Sequence, residues 1–156
     1  MSSSQVFLLD SNVLMTAARH YYAFDIAPCF WTSLSQHAGN GELRSIDRVL
    51  DEINRGTDEL VVWINKSFLN YFFETDSSDV LQKYTEIIRW SQGENRYSSA
   101  VKEDFARFDH ADPWLVAYAL VHRCVIVTLE SPTSYKEKDS YTDYLRSLRR
   151  AMAQYL

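Results

Sequence analysis

The sequence predicts an α/β fold built on a central, mainly parallel sheet, and three observations carry the prediction. A strand-like apolar run, Val6-Phe7-Leu8-Leu9, stops at Asp10 and gives way at once to Ser11-Asn12-Val13-Leu14, which reads as a helix start. A second run, Cys124 to Leu129, has the composition of a continuous buried strand and stops at another acid, Glu130. Between the two, helical spacing dominates. If those strands pair in parallel, their C-terminal ends share one edge of the sheet. Acids just past such strands then lie on one sheet edge, in the crevice where ligands of open α/β sheets gather.

The elements follow in order. After the first strand, Asn12 to about Arg19 is read as a short helix, and Pro28 to about His37 as a second, ended by Gly39-Asn40-Gly41. Glu42 to Ser45 is short enough to be a strand or a turn. Ile46, Val49, Leu50 and Ile53 then recur at i, i+3, i+4 and i+7, and Gly56 closes that helix. Thr57 to Lys66 reads as a helix capped by Thr57, with Asp58 and Glu59 in the first turn, where the helix dipole favours acids. Phe68 to Phe73 is aromatic and of undecided type. Asp76 or Ser77 caps a longer helix to about Gln92 that turns Val80, Leu81, Tyr84, Ile87 and Ile88 inward, and a further helix covers about Ser98 to Arg107. Asp112-Pro113-Trp114 opens a strongly apolar helix through His122, with Asp as cap and Pro at the first helical position. Beyond Pro132 a polar stretch leads to a helix-like tail, about Tyr141 to Tyr155.

Composition bounds what such a chain can be. At 156 residues it fits a single domain, able to bury roughly two thirds of its unfolded surface. With 46% apolar and 14% aromatic residues it is core-forming rather than disordered. A formal net charge of -5 argues against a large basic face for non-specific nucleic-acid binding, while leaving room for a local basic groove. Cys29 and Cys124 match neither a disulfide framework nor a zinc spacing and read as buried thiols. The N-terminus lacks the basic and apolar regions of a signal peptide, and no run approaches the roughly 18 residues of a membrane span. A cytoplasmic protein is expected.

Each acid has a plain reading beside a functional one. Asp10 serves as a helix cap or as a ligand. Glu52 lies at the margin of the stripe formed by Val49 and Ile53, on a solvated helix face or at a site, while Asp47 and Asp51 turn further towards water. Asp112 caps its helix, which leaves a second oxygen for another role. Acids gathered in one crevice repel unless a cation neutralises them or some stay protonated. Oxygen ligands without paired His or Cys suit Mg²⁺ or Mn²⁺ rather than zinc, and hard cations on carboxylates commonly serve phosphate chemistry.

The order Asp10, Glu52, Asp112, Glu130 resembles the acid quartet of the PIN-domain nucleases. Leu8-Leu9-Asp10-Ser11-Asn12-Val13, Tyr21-Tyr22-Ala23-Phe24-Asp25-Ile26-Ala27-Pro28, Phe30-Trp31 and Ala111-Asp112-Pro113-Trp114-Leu115-Val116-Ala117-Tyr118-Ala119 together resemble a bacterial branch of that superfamily catalogued as a domain of unknown function. The resemblance covers roughly residues 5 to 131. It implies a three-layer α/β/α PIN-like fold and metal-dependent cleavage of RNA as in VapC-type toxins. It further implies Mg²⁺ or Mn²⁺ held by Asp10, Glu52, Asp112 and Glu130, with Asn12 and Thr128 in support, a cognate antitoxin as partner, and a homodimer by analogy. The chain leaves the pattern after Glu130: the branch continues into a lysine-containing loop and a strand with an Ile-Pro motif, whereas Ser131-Pro132-Thr133-Ser134-Tyr135 leads to the helix-like tail. The expectation is one PIN-like domain over residues 1–156 with a divergent tail from about 131.

Two rivals stand beside the nuclease. A HAD-like phosphatase would use Asp10 as nucleophile but wants a second acid where Asn12 stands, and a PIN-like binding module would keep the fold without catalysis. His20, His37, His110 and His122 share no metal-pair spacing, with His110 set apart by its closeness to Asp112. The cluster Tyr21, Tyr22, Phe24, Phe30 and Trp31 reads as packing, with base stacking the alternative, and Arg146, Arg149 and Arg150 as a solvated face or a phosphate contact.

Overall fold

The computed structural model describes residues 5–95 and 97–129. These fall into two compact units, one running to Thr75 and taking in Arg123–Leu129, the other Asp76–His122.

The first unit holds the sheet. Strands β1 (Phe7–Leu9), β2 (Leu43–Ile46), β3 (Phe72–Phe73) and β4 (Val125–Val127) lie in the order β3-β2-β1-β4, and all three pairings are parallel. The fold is therefore α/β on a central parallel sheet, as the sequence predicts, the arrangement on which a three-layer α/β/α fold is built. Leu8 and Leu9 point to opposite faces and are both buried, as a central strand of such a sheet requires. Successive strands β1, β2 and β3 step outward in one direction, and β4 then returns to the other side of β1. That reversal is a topological switch point, and in open α/β sheets ligands gather beyond the C-terminal strand ends at such a point.

Helices α1 (Ser11–Thr16), α2 (Pro28–Gly39), α3 (Asp47–Ile53) and α4 (Glu59–Trp63) belong to this unit. Proline fits the first turn of α2 because its missing N–H has no helical partner there, and the helix exits through Gly41 at φ +79°, a conformation that glycine adopts without strain. The expected aromatic packing is present in part: Tyr22 stacks on Phe30 at 4.0 Å, Phe24 stacks on Trp31 at 4.2 Å, and the Trp31 indole donates to the Tyr22 carbonyl at 2.7 Å, whereas Tyr21 is 71% exposed; the stack of Trp63 on Phe68 at 5.1 Å extends the cluster.

Several boundaries and exposures differ from expectation. The first helix gives way to a π-helical turn, Ala17–Tyr21, and the fourth, whose cap position is Asp58 rather than Thr57, gives way to another, Ile64–Phe68. The undecided aromatic segment is a 3₁₀ turn, Leu69–Tyr71, followed by β3. Strand β4 is shorter than predicted and not fully buried, with Val125 44% exposed, because it is the outermost strand of the sheet among the described residues. The cysteines are not both buried: Cys29 is exposed on the first turn of α2, and Cys124 is half-buried just before the edge strand. Asp47 turns inward rather than towards water, because Thr75 offers it hydrogen bonds.

The second unit is helical: α5 (Ser78–Gly93), α6 (Ser99–Phe105) and α7 (Asp112–His122). Ser77 and Ser98 cap the first two by accepting from the amides of Val80 and Val101. Of the residues predicted to face inward on α5, Val80 and Ile87 are fully buried, whereas Leu81 is 44% exposed, at the far margin of the stripe. Tyr84 of α5 stacks on Trp114 of α7 at 3.8 Å. Pro113 through Ala119 are all buried, which explains why α7 is apolar all round. It begins at Asp112 itself, one residue earlier than predicted. The predicted tail helix, Glu130 and the three late arginines lie outside the described residues.

Candidate functional site

The first unit places two of its buried polar residues, Asp10 and Ser11, at the switch point. Backbone pairing runs level to the strand ends, with Leu9 opposite Val127, and the Asp10 amide donates to the Val127 carbonyl at 3.1 Å. Asp10 and Thr128, the next residues on each strand, thus emerge side by side, and the Thr128 hydroxyl donates to Asp10 Oδ2 at 2.9 Å. Asp10 is 3% exposed. Its extended backbone makes it the N-cap of α1, and its Oδ1 accepts the Ser11 amide at 2.6 Å. Each carboxylate oxygen therefore accepts one of these hydrogen bonds.

Asn12 ties the two strand ends together from the first turn of α1. Its amide nitrogen donates to Thr128 Oγ1 at 3.1 Å, and its Oδ1 accepts the Leu129 amide at 3.1 Å. Because Asn12 supplies a proton to Thr128, the threonine's own proton is directed at Asp10. On the other side, Glu52 reaches in from α3 and its Oε2 accepts the Ser11 hydroxyl at 2.7 Å. The same hydroxyl oxygen lies 3.4 Å from Asp10 Oδ1. One serine thus stands between two carboxylates. Beneath them the buried Ser45 hydroxyl donates to the Leu9 carbonyl at 2.7 Å, fixing the backbone from which Asp10 projects.

Of the residues that the sequence proposes, Asp10, Asn12, Glu52 and Thr128 are therefore joined in one hydrogen-bonded group, with Ser11 as a member that sequence reasoning treated only as part of a helix start. Its signal was its place next to Asp10. Asp112 belongs to the second unit, where it occupies the first turn of α7. Glu130 lies outside the described residues. His110 Nε2 lies 3.8 Å from an Asp104 oxygen. Among the described residues no three His, Cys, Asp or Glu side chains are grouped so that they could hold a metal ion.

A family model described as a domain of unknown function, DUF4411, matches residues 7–142. The chain belongs to the DUF4411 family. No curated protein and no solved structure matches it. Of this DUF4411 chain's described residues, none forms a helix long and apolar enough to cross a membrane.

The donor set decides what the group can do chemically. It offers oxygen only: two carboxylates, a carboxamide and two hydroxyls. Carboxylates brought near one another repel, the more so where burial lowers the effective dielectric. A cation or a proton between Asp10 and Glu52 relieves that repulsion. Mg²⁺ is commonly bound through one or two carboxylates, keeping waters and substrate phosphates as its other ligands, so these residues fit a hard divalent cation.

Proposed function

We propose that this DUF4411 chain is a Mg²⁺- or Mn²⁺-dependent endoribonuclease of PIN type, working in the cytoplasm as the toxin of a toxin and antitoxin pair. The observation that carries the reading is the buried Asp10 at the switch point, linked to Glu52 through Ser11 and to Thr128 on the facing strand end. Resemblance to the PIN nucleases adds Asp112 and Glu130 as the remaining carboxylates of the site.

In this reading Asp10 and Glu52 hold the cation from one side. Thr128, itself held by Asn12, fixes the Asp10 carboxylate in place before a ligand arrives. The cation, when bound, supplies Lewis acidity at a phosphodiester. RNA is the substrate, the cognate antitoxin is the protein partner, and a homodimer follows by analogy with VapC-type toxins.

The test is an Asp10→Asn protein. Asparagine caps a helix about as well as aspartate, so the variant folds, with a thermal midpoint close to the parent's. Its Mn²⁺-dependent cleavage of single-stranded RNA is expected to fall at least about 100-fold, since a ligand is worth no less than the groups that orient it. Equal activity in the two proteins, or cleavage that persists in EDTA, contradicts the nuclease. Retained binding of a partner by a protein with no metal affinity would instead favour a PIN-like binding module, and phosphate release from small phosphomonoesters with covalent labelling of Asp10 would favour the phosphatase.

A further inference from the structure

We infer that Ser11 is a positioning residue that fixes Glu52 against Asp10, so that the two carboxylates grip one divalent cation; the inference rests on the metal site proposed above. Ser11 divides its two donors between the two acids. Its amide goes to Asp10 Oδ1 at 2.6 Å and its hydroxyl to Glu52 Oε2 at 2.7 Å. A hydroxyl has one proton, and with that proton on Glu52 the 3.4 Å approach of the same oxygen to Asp10 is a spacing rather than a second donation.

Ser11 joins two acids that arrive by different routes. Asp10 is held at both oxygens at the end of β1. Glu52 comes from the penultimate residue of α3, half-buried, on a side chain with three torsions. Ordering a long side chain has an entropic cost, and a hydrogen bond that sets the carboxylate in advance removes part of that cost from metal binding. Ser11 is itself buried, so its hydroxyl has a fixed direction.

The two functions of Ser11 separate cleanly by substitution. Ser11→Ala keeps the amide bond to Asp10 and removes only the link to Glu52, while Ser11→Thr keeps a hydroxyl. Calorimetric titration of Mn²⁺ into the metal-free full chain is expected to show affinity falling about tenfold in Ser11→Ala and restored in Ser11→Thr, in the range that supporting partners of metal ligands contribute. In RNA cleavage the alanine variant should lose kcat with little change in KM. Parent-like Mn²⁺ affinity in Ser11→Ala, even with a lower melting temperature, makes Ser11 merely structural and overturns the inference while leaving the metal site intact. A parent protein that binds no Mn²⁺ overturns the site and the inference together. Should the alanine variant not fold, Ser11→Cys, similar in volume and a weaker donor, provides the same comparison.

Discussion

At the end of β2, Asp47 follows the last strand residue and accepts the hydroxyl of Thr75 at 2.8 Å and its amide at 3.3 Å; at the end of β1, Asp10 follows the last strand residue and accepts the hydroxyl of Thr128 at 2.9 Å. The two strand ends use the same pair of residue types, yet their surroundings diverge. Asp47 has the Arg48 guanidinium Nε at 4.0 Å, and that nitrogen also donates to the fully buried Thr75 hydroxyl at 3.3 Å. Asp10 instead shares Ser11 with a second carboxylate, Glu52. One aspartate stands beside an arginine of the chain, and the other shares a serine with a second acid. The sheet order separates the two ends: β2 and β3 follow one another outward, whereas β1 and β4 flank the switch point, where ligands of open α/β sheets gather. An aspartate at a strand end can thus latch two strands, as Asp47 does, or serve as the ligand proposed for Asp10, according to what stands beside it.

The sharpest way to break this comparison is to remove each aspartate. Asp10→Asn is expected to abolish metal-dependent RNA cleavage while changing unfolding free energy by less than about 1 kcal/mol, since the cap survives. Asp47→Ala should do the reverse, leaving cleavage per folded molecule within a few-fold of the parent and destabilising by about 2–4 kcal/mol in a urea titration. It strands two donors of a fully buried threonine, each costing about 1–3 kcal/mol. The threonines give a smaller version of the contrast. Thr128→Val should weaken Mn²⁺ binding by about 10–100-fold, as loss of a group orienting a ligand does. Thr75→Val should leave Mn²⁺ affinity unchanged and lower stability by about 1–3 kcal/mol.

The smallest expected effect concerns the cysteines of the same unit. Burial pushes the Cys124 thiol up, against a smaller opposing pull from Arg44. A raised thiol pKa leaves less thiolate at any pH below it, and thiolate is the reacting form. Iodoacetamide at neutral pH is therefore expected to label exposed Cys29 before half-buried Cys124 in the native protein, with the difference narrowing in urea; equal native rates, followed by peptide mass spectrometry, would contradict this.

How far these features were legible in the sequence depends on how many residues carry each signal. The ends of α2 and α5 and the apolar character of α7 are written in several positions at once: Pro28 and Gly41, Ser77, and the run from Pro113 to Ala119. Strand β3 has two residues, too few to show a period, and the π-helical turns at Ala17–Tyr21 and Ile64–Phe68 have no residue signature of their own. At the site, Asp10 and Glu52 were legible as acids at the end or margin of apolar segments, whereas Asn12 and Thr128 entered only through the resemblance to the PIN nucleases. Ser11 was not legible, because a serine beside a helix cap looks ordinary until the acid on α3 is seen to meet it. Asp47 misled for the same reason: helical spacing gave its direction on α3, but Thr75, which turns it inward, is 28 residues away.

The central claim is that the β1–β4 end takes a divalent cation and the β2–β3 end does not, and calorimetric titration of Mn²⁺ into metal-free parent, Asp10→Asn and Asp47→Asn proteins tests it directly. The account predicts binding by the parent and by Asp47→Asn with similar affinity, and none by Asp10→Asn. Absence of binding in the parent, or equal binding by Asp10→Asn, would contradict it.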